Sequence, residues 1–203
     1  MMATTHGLVG LALAAAASAI TGEVTPLVAA AAALGGLFPD LDLYAGHRKT
    51  LHFPVYGSLL AVAAFLAYLV VGGPLALAVA LFVLAAAAHA VSDAFGGGLE
   101  LRPWEATSQR AVYDHFTGVW WRPRRWIRYD GAPEDVLVVA AVAVPGYLAF
   151  GGTLRTLVAV ALVVSLGYAT VRKPMVAIAE HVVARTPNVV LSYVPERFVE
   201  DVR

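Results

Sequence analysis

Six apolar runs divide this chain, and they restrict it to a bundle of helices associated with a membrane. They cover residues 7–20, 27–38, 55–71, 74–90, 136–150 and 154–170. Only 14% of the residues are charged, against roughly 25% in an average soluble domain. Several runs are shorter than the roughly twenty residues of a straight span, so either short or tilted spans or a partly immersed bundle is expected. We predict an all-α, polytopic membrane bundle of about six helices.

The segments outside the runs set the expected domain organisation. Residues 1–170 are predicted to form one membrane-embedded domain, which includes an Arg- and Trp-rich interfacial segment at 94–135. Residues 171–203 are mixed in character and are predicted to form a cytoplasmic or interfacial tail. The first run lacks a preceding basic segment, so we interpret it as a retained helix and not as a signal peptide. Pro145 lies inside the fifth run and is expected to kink its helix.

The distribution of basic residues predicts the orientation. If the runs alternate in direction, the N-terminus, the loop at 40–52, the segment at 94–135 and the tail share one side. Thirteen of the fourteen Lys and Arg residues fall on that side, and only Arg155 falls near the other. Basic residues are retained on the cytoplasmic side of a membrane. We therefore expect a multi-pass protein of the inner membrane with both termini in the cytoplasm.

Charge and cysteine content exclude several classes of function. The formal net charge is zero, whereas nucleic-acid binding requires a basic excess, so no nucleic-acid partner is expected. The chain has no cysteine, which excludes disulfides and thiolate metal sites. A metal would therefore be held by His, Asp, Glu or backbone oxygen. The oligomeric state is not encoded in these features.

Metal-binding side chains concentrate at the run ends that share the predicted cytoplasmic side. His89 and Asp93 are four residues apart, which places both on one face of a helix. A set of His and carboxylate ligands without thiolates suits Zn²⁺, Mn²⁺ or Fe²⁺. The alternative is that single His residues are solvated at the interface and that Asp40 and Asp42 are turn residues after Pro39. The full set is His6, Asp40, Asp42, His47, His52, His89 and Asp93.

The order of these residues resembles a known family. The matching stretches are Thr5-His6-Gly7, Phe38-Pro39-Asp40-Leu41-Asp42, His47-Arg48 with His52, and His89-Ala90-Val91-Ser92-Asp93. Over roughly the first hundred residues, the chain looks like the YdjM-type inner-membrane metal-dependent hydrolases. More distantly, it is similar to zinc-dependent phospholipase C and nuclease P1 proteins, in which such residues bind zinc ions that cleave phosphoesters.

The resemblance implies a role for each matching residue. It implies that Asp42 and His47 are a further ligand or partners that orient the ligands, and that Arg48 holds a substrate anion. Asp42 is also our expected general base, so Asp42, His47 and Arg48 form the predicted catalytic set. His115 is a further candidate for the site. The implied metal ligands are His6, Asp40, His52, His89 and Asp93.

The expected function is that of a membrane-bound hydrolase that uses a divalent metal, Zn²⁺ first, to activate water at the cytoplasmic face. Its expected substrate is a phosphoester or a lipid-related compound. Two alternatives stay open: a transporter that binds a cation in transit, and a non-catalytic membrane protein whose metal joins the helix ends. The Arg- and Trp-rich segment is interpreted as an aromatic belt with basic residues, or as a surface that gathers anionic lipid headgroups.

Overall fold

The computed structural model of the chain describes residues 1–22, 25–43 and 45–194. Helices dominate its described part and the sheet has only two short strands, which confirms the predicted all-α class. The first six helices follow the six apolar runs, and a short seventh comes after them. The helices are α1 (Ala3–Thr21), α2 (Pro26–Leu37), α3 (Pro54–Val71), α4 (Gly73–Ser92), α5 (Pro133–Ala149), α6 (Gly152–Arg185) and α7 (Asn188–Leu191).

Four of these helices are long and apolar enough to cross a membrane. They are α1, α3, α6 and the segment Gly73–Phe95, which contains α4. Helix α2 has 12 residues and α5 has 17, so both are shorter than a straight span needs. Many large apolar side chains of α3 point outward; Val70 is 87% exposed. Such a surface is stable in contact with lipid, and the chain is a membrane protein by these criteria.

Close helix packing depends on small residues of α1 and α2. Helix α2 packs between α1 and α4, α3 packs on the opposite side of α4, and α5 and α6 follow on the far side of α1. A Cβ atom added to Gly10 would lie 2.1 Å from the carbonyl oxygen of Ala32, and one added to Gly36 would lie 2.2 Å from the carbonyl oxygen of His6. The absence of side chains at these positions therefore allows the two backbones to touch.

Helix α6 is longer than its apolar run. It continues to Arg185 through Pro174, so no break in secondary structure separates the predicted domain from the predicted tail at residue 170. Polar contacts hold this extension against the segment at 94–135. The Arg172 Nε donates to Asp130 at 2.7 Å, and the Arg102 Nε donates to Glu180 at 2.7 Å. Residues 195–203 of the predicted tail lie outside the described residues. Pro145 lies inside α5, which continues beyond it to Ala149.

A β-hairpin lies within the Arg- and Trp-rich segment, where the sequence analysis predicted no strand. Strands β1 (Val112–Asp114) and β2 (Val119–Trp121) pair antiparallel, with Tyr113 opposite Trp120. The hairpin contacts the loop that precedes α3, because the Tyr113 amide donates to the Arg48 carbonyl at 2.9 Å. The segment thus covers the end of the bundle at which the predicted site residues lie.

Candidate metal centre

The five predicted metal ligands come together at one end of the bundle. One group contains His6, His89 and Asp93, and a second contains Asp40, His52 and His89. Within each group the candidate ligand atoms all lie within 4.8 Å of one another. The residues come from the start of α1, the 3-10 helix Phe38–Asp42 after α2, the loop before α3 and the end of α4. The expectation that these dispersed residues meet is confirmed, and the resulting His/Asp cluster is able to hold a metal ion.

The centre of the cluster is defined by imidazole Nε2 atoms and carboxylate oxygens. The Nε2 atoms of His52 and His89 are 3.3 Å apart. They lie 3.3 Å and 3.5 Å, respectively, from Oδ2 of Asp93. His89 Nε2 is also 3.4 Å from Oδ1 of Asp40, and His6 Nε2 is 3.3 Å from Oδ1 of Asp93. Three imidazoles and two carboxylates therefore form two adjoining ligand groups that share His89.

The other ring nitrogen of each histidine is already engaged. Nδ1 of His89 lies 2.6 Å from the Gly36 carbonyl oxygen, and Nδ1 of His52 lies 3.0 Å from Oδ2 of Asp42. Nδ1 of His6 lies 3.5 Å from Oγ of Ser92, whose hydroxyl donates to the His89 carbonyl. Each contact favours the tautomer with its proton on Nδ1, which leaves the Nε2 lone pair directed at the centre.

This arrangement fits a bound cation. Two Nε2 atoms facing each other at 3.3 Å repel each other unless a cation or a proton lies between them. His6 Nε2 is buried and has no hydrogen-bond partner within the described part of the chain. A buried polar atom left without a partner is costly, and coordination of a metal would satisfy it. Histidines that ligate metals commonly donate their second N–H to a carboxylate or a carbonyl, as His52 and His89 do here.

Asp42 lies behind His52 and outside the centre. Its carboxylate is 1% exposed. Oδ1 lies 3.1 Å from His47 Nδ1 and 3.3 Å from the Arg48 amide, while Oδ2 accepts from the Leu51 amide and from His52. Burial raises the pKa of Asp42, but the hydrogen bonds from His47, His52 and Leu51 outweigh it and hold the pKa well below its usual range. The geometry fits the expected orienting role. Both oxygens already accept hydrogen bonds, so neither is free to act as the general base.

The other predicted catalytic residues also lie around the ligands. His47 contacts Asp42 and the edge of the His52 ring, and its side chain is 27% exposed. The buried Arg48 has its Nε 3.3 Å from Oδ2 of Asp93 and donates from a terminal nitrogen to the Gly97 carbonyl at 2.8 Å. It is therefore the counter-ion of Asp93. His115 is not part of the cluster: its Nε2 donates to the Lys49 carbonyl at 2.7 Å.

Asp40 and His52 both belong to the cluster, and their neighbours shift the pKa of each. Asp40 belongs to the cluster and is its accessible member: its side chain is 27% exposed, whereas those of the other four are at most 2% exposed. Burial raises the pKa of Asp40, but its contact with His89 lowers it more strongly, so the carboxyl is ionised at neutral pH. The pKa of His52 is raised, because the contacts with Asp42 and Asp93 outweigh the opposite effect of burial.

Asp135 is a functional candidate that the sequence analysis missed. It is fully buried in the first turn of α5 and accepts hydrogen bonds from the Met2 amide at 2.7 Å, the Thr5 hydroxyl at 2.8 Å and the Gly131 amide at 3.0 Å. It thus satisfies N-terminal donors of α1, the helix that carries His6. An acidic residue in a first helical turn is common, so nothing local distinguished Asp135 in the sequence.

Comparisons of the chain with protein-family models, with curated proteins and with solved structures found no match. The resemblance to YdjM-type hydrolases therefore rests on the quoted sequence stretches and stays a prediction.

Proposed function

We propose that this protein is a membrane-bound, metal-dependent hydrolase that cleaves phosphoesters. The observation that carries the proposal is the convergence of three Nε2 atoms and two carboxylates at one end of the bundle, in two ligand groups that share His89, with every Nδ1 engaged elsewhere. Three imidazoles with carboxylate oxygens suit Zn²⁺ best, with Mn²⁺ and Fe²⁺ as the next candidates. In this proposal His6, His52, His89 and Asp93 hold the cation.

The residues around the cation have separate proposed roles in hydrolysis. A bound divalent cation of this kind makes water acidic enough to act as a nucleophile near neutral pH and polarises a phosphoryl oxygen. Asp40 is ionised and accessible, so we propose that it accepts a proton from the attacking water as the general base. The water oxygen forms a bond to phosphorus, the ester P–O bond breaks, and the leaving alkoxide takes the proton that Asp40 accepted. Asp42 keeps the His52 ring oriented, and Arg48 neutralises Asp93.

The location of the site follows from the charge distribution. The cluster lies at the end of the bundle that also carries the loop at 45–53 and the Arg- and Trp-rich segment. Among the described residues, Arg48 and Lys49 lie in this loop, and six Arg lie between residues 102 and 128. We therefore propose that the site lies at the cytoplasmic face of the inner membrane.

Metal content and hydrolysis together test the proposal. Wild type, His89→Ala and Asp93→Asn are purified in detergent, and bound metals are measured by mass spectrometry. His115→Ala serves as the matched control, because this histidine lies at the same end of the bundle but outside the cluster. Wild type and control are expected to retain about one metal per chain and to hydrolyse p-nitrophenyl phosphate or bis(p-nitrophenyl) phosphate. The two cluster variants are expected to lose both properties.

Two results would overturn parts of the proposal. Equal metal content in all four proteins would exclude the cluster as the metal site. Loss of metal in the cluster variants, without hydrolysis of either ester by the loaded wild type, would exclude the phosphoesterase. That second result would favour a metal that joins the helix ends, or a cation in transit.

A further inference from the structure

The cluster is recessed within the length of the spanning helices. His6 is the fourth residue of α1, and His89 lies six residues before the end of the candidate span Gly73–Phe95. At a rise of about 1.5 Å per residue, His89 is therefore roughly 9 Å from the end of its span. The reacting atoms thus lie below the polar surface of the bundle, at the edge of the apolar layer.

The polar side of the cluster is closed by protein. Arg48 is 8% exposed, lies on Asp93 and donates to the Gly97 carbonyl. The backbone that follows α4 is held in place by the Arg- and Trp-rich segment: the Arg124 amide donates to the Ala94 carbonyl at 2.8 Å. The Tyr113 amide donates a hydrogen bond to the Arg48 carbonyl, which links the hairpin to the loop before α3. These contacts cover the cluster on the side where Arg48 and Asp93 lie.

The accessible side of the cluster is apolar. Asp40 lies between Phe38 and Leu41, which are 36% and 74% exposed. The outer face of α2 continues this apolar surface away from the site. Leu27 and Leu34 are seven residues apart, so they lie on one helix face, and they are 54% and 58% exposed. Exposed apolar side chains therefore lie along α2 and in the turn after it, on both sides of Asp40 in the sequence.

We propose that the substrate is an amphiphilic phosphate ester that reaches the metal from within the bilayer. Its hydrocarbon chain lies along the exposed face of α2, and its phosphate lies beside Asp40. This inference rests on the proposed function and names the substrate class of the same site. For a monoester, water attacks phosphorus, the bond from phosphorus to the lipid oxygen breaks, and a lipid alcohol and inorganic phosphate are released. The hydrocarbon chain of the substrate stays in apolar surroundings throughout, so the lipid does not have to leave the membrane.

Photo-crosslinking tests the binding mode independently of turnover. The full-length protein is placed in phosphatidylcholine vesicles that contain phosphatidic acid with a diazirine in its acyl chain. A diacylglycerol with the same photoactive chain is the control lipid, because it lacks the phosphate. Crosslinks are mapped by mass spectrometry. The phosphate-bearing probe is expected to be enriched several-fold over the control lipid on the peptide that contains Leu34 and Leu41, and to label α3 no more than the control does.

Matched variants add a second readout. Leu34→Ser/Leu41→Ser makes the α2 surface polar, and Leu66→Ser/Leu69→Ser makes an equivalent change on α3, where both leucines are also exposed. The α2 variant is expected to lose the crosslink enrichment and the hydrolysis of phosphatidic acid, while retaining metal and the hydrolysis of p-nitrophenyl phosphate. The α3 variant is expected to retain all of these properties.

The outcomes separate this inference from the proposed function. Hydrolysis of p-nitrophenyl phosphate without enrichment of the phosphate-bearing probe on α2 would overturn the access route and leave the hydrolase intact. Enrichment on α2 without hydrolysis of any ester would overturn the hydrolase and leave a site that binds lipid phosphate. Crosslinks from α2 to a second copy of the chain in place of lipid would overturn the route, because that face would then be an interface between copies.

Discussion

Asp42 accepts a hydrogen bond from His52 through its Oδ2, 3.0 Å from the imidazole Nδ1. The same carboxylate accepts hydrogen bonds from the backbone amides of Leu51 and Arg48, so the loop before α3 folds around it. A buried anion with four donors sets both the rotamer and the tautomer of the one imidazole that it contacts at the cluster. Asp42 thereby acts on the metal site without touching its centre.

Asp42→Asn is expected to weaken metal binding by roughly 10- to 100-fold, the usual effect of losing such a supporting contact. The amide group places an N–H₂ donor against neighbours that are themselves donors, so the His52 ring loses its fixed orientation. Metal affinity is measured by competition with a chelator. His47→Ala is the control, because it removes the other imidazole on Asp42 and leaves the contact with His52 in place. Unchanged affinity in Asp42→Asn would contradict the orienting role.

Gly36→Ala is expected to destabilise the bundle and reduce metal content. The added Cβ atom would lie 2.2 Å from the His6 carbonyl oxygen, so α1 and α2 have to move apart. Overpacking of this kind costs about 1–3 kcal/mol. It also displaces the Gly36 carbonyl that binds His89. Thermal unfolding in detergent and metal analysis measure the two effects.

Gly167→Ala is the matched control for this change. Gly167 lies inside α6, and a Cβ atom there meets nothing within 4 Å in the described part of the chain. Because alanine favours helix by about 1 kcal/mol over glycine, the control is expected to be as stable as the wild type or more stable. Equal unfolding temperatures for the two variants would show that the close approach of α1 and α2 is not required.

The His/Asp cluster was predictable because its residues lie at run ends and the runs alternate in direction. His6, Asp40 and His89 are far apart in sequence, and counting helix reversals was enough to place them together. The backbone partner of His89 was not predictable, because the Gly36 carbonyl carries no side-chain signal. The orienting role of Asp42 was not predictable for a similar reason. The sequence shows a carboxylate near the candidate site, which suggested a general base, but it does not show the four donors that occupy both oxygens.

The elements outside the membrane were harder to predict for a different reason. Strands of three residues, such as β1, are too short to show an alternating pattern. The extension of α6 was hidden because Pro174 and the charged residues after Thr170 indicate the end of an apolar span. Its helix is stabilised by contacts with distant residues, among them that of Arg172 with Asp130.

The hairpin is expected to lose stability in acid. The buried Asp114 accepts from the Phe116 amide at 2.9 Å, the Thr117 hydroxyl at 2.6 Å and the Trp121 indole at 3.3 Å. Burial raises the pKa of Asp114, but these hydrogen bonds lower it more strongly, so the folded-state pKa lies below the usual value. Its contribution to stability is therefore present above the unfolded-state pKa of about 3.9 and is lost as the pH falls through the lower folded-state pKa.

Tryptophan fluorescence measures this transition, because the Trp121 indole is one of the donors to Asp114. A titration from neutral pH into strong acid is expected to show a change in the wild type. Asp114→Asn cannot titrate at this position, so its profile is expected to lack that change. Superimposable profiles for the two proteins would exclude Asp114 as the titrating group.

Asp135→Ala is expected to reduce both stability and metal affinity, although the residue does not contact the cluster. Removal of the carboxylate leaves the Met2 amide, the Thr5 hydroxyl and the Gly131 amide without their buried acceptor. Each such orphaned donor costs about 1–3 kcal/mol. The first turn of α1 carries His6, so its loosening displaces one of the three imidazoles. Chelator competition and thermal unfolding measure the two effects.

Asp130→Asn is the control for Asp135→Ala. It removes a negative charge at the same end of the bundle without removing the acceptor that holds the first turn of α1. In the described part of the chain, the hydrogen bonds of Asp130 are with Tyr168 and Arg172 of α6, so its variant is expected to lose stability without a change in metal affinity. Thr5→Val removes one of the three donors to Asp135 and is expected to fall between the wild type and Asp135→Ala in both measurements. If Asp135→Ala and Asp130→Asn lower metal affinity equally, Asp135 has no specific link to His6, and the coupling through α1 is wrong.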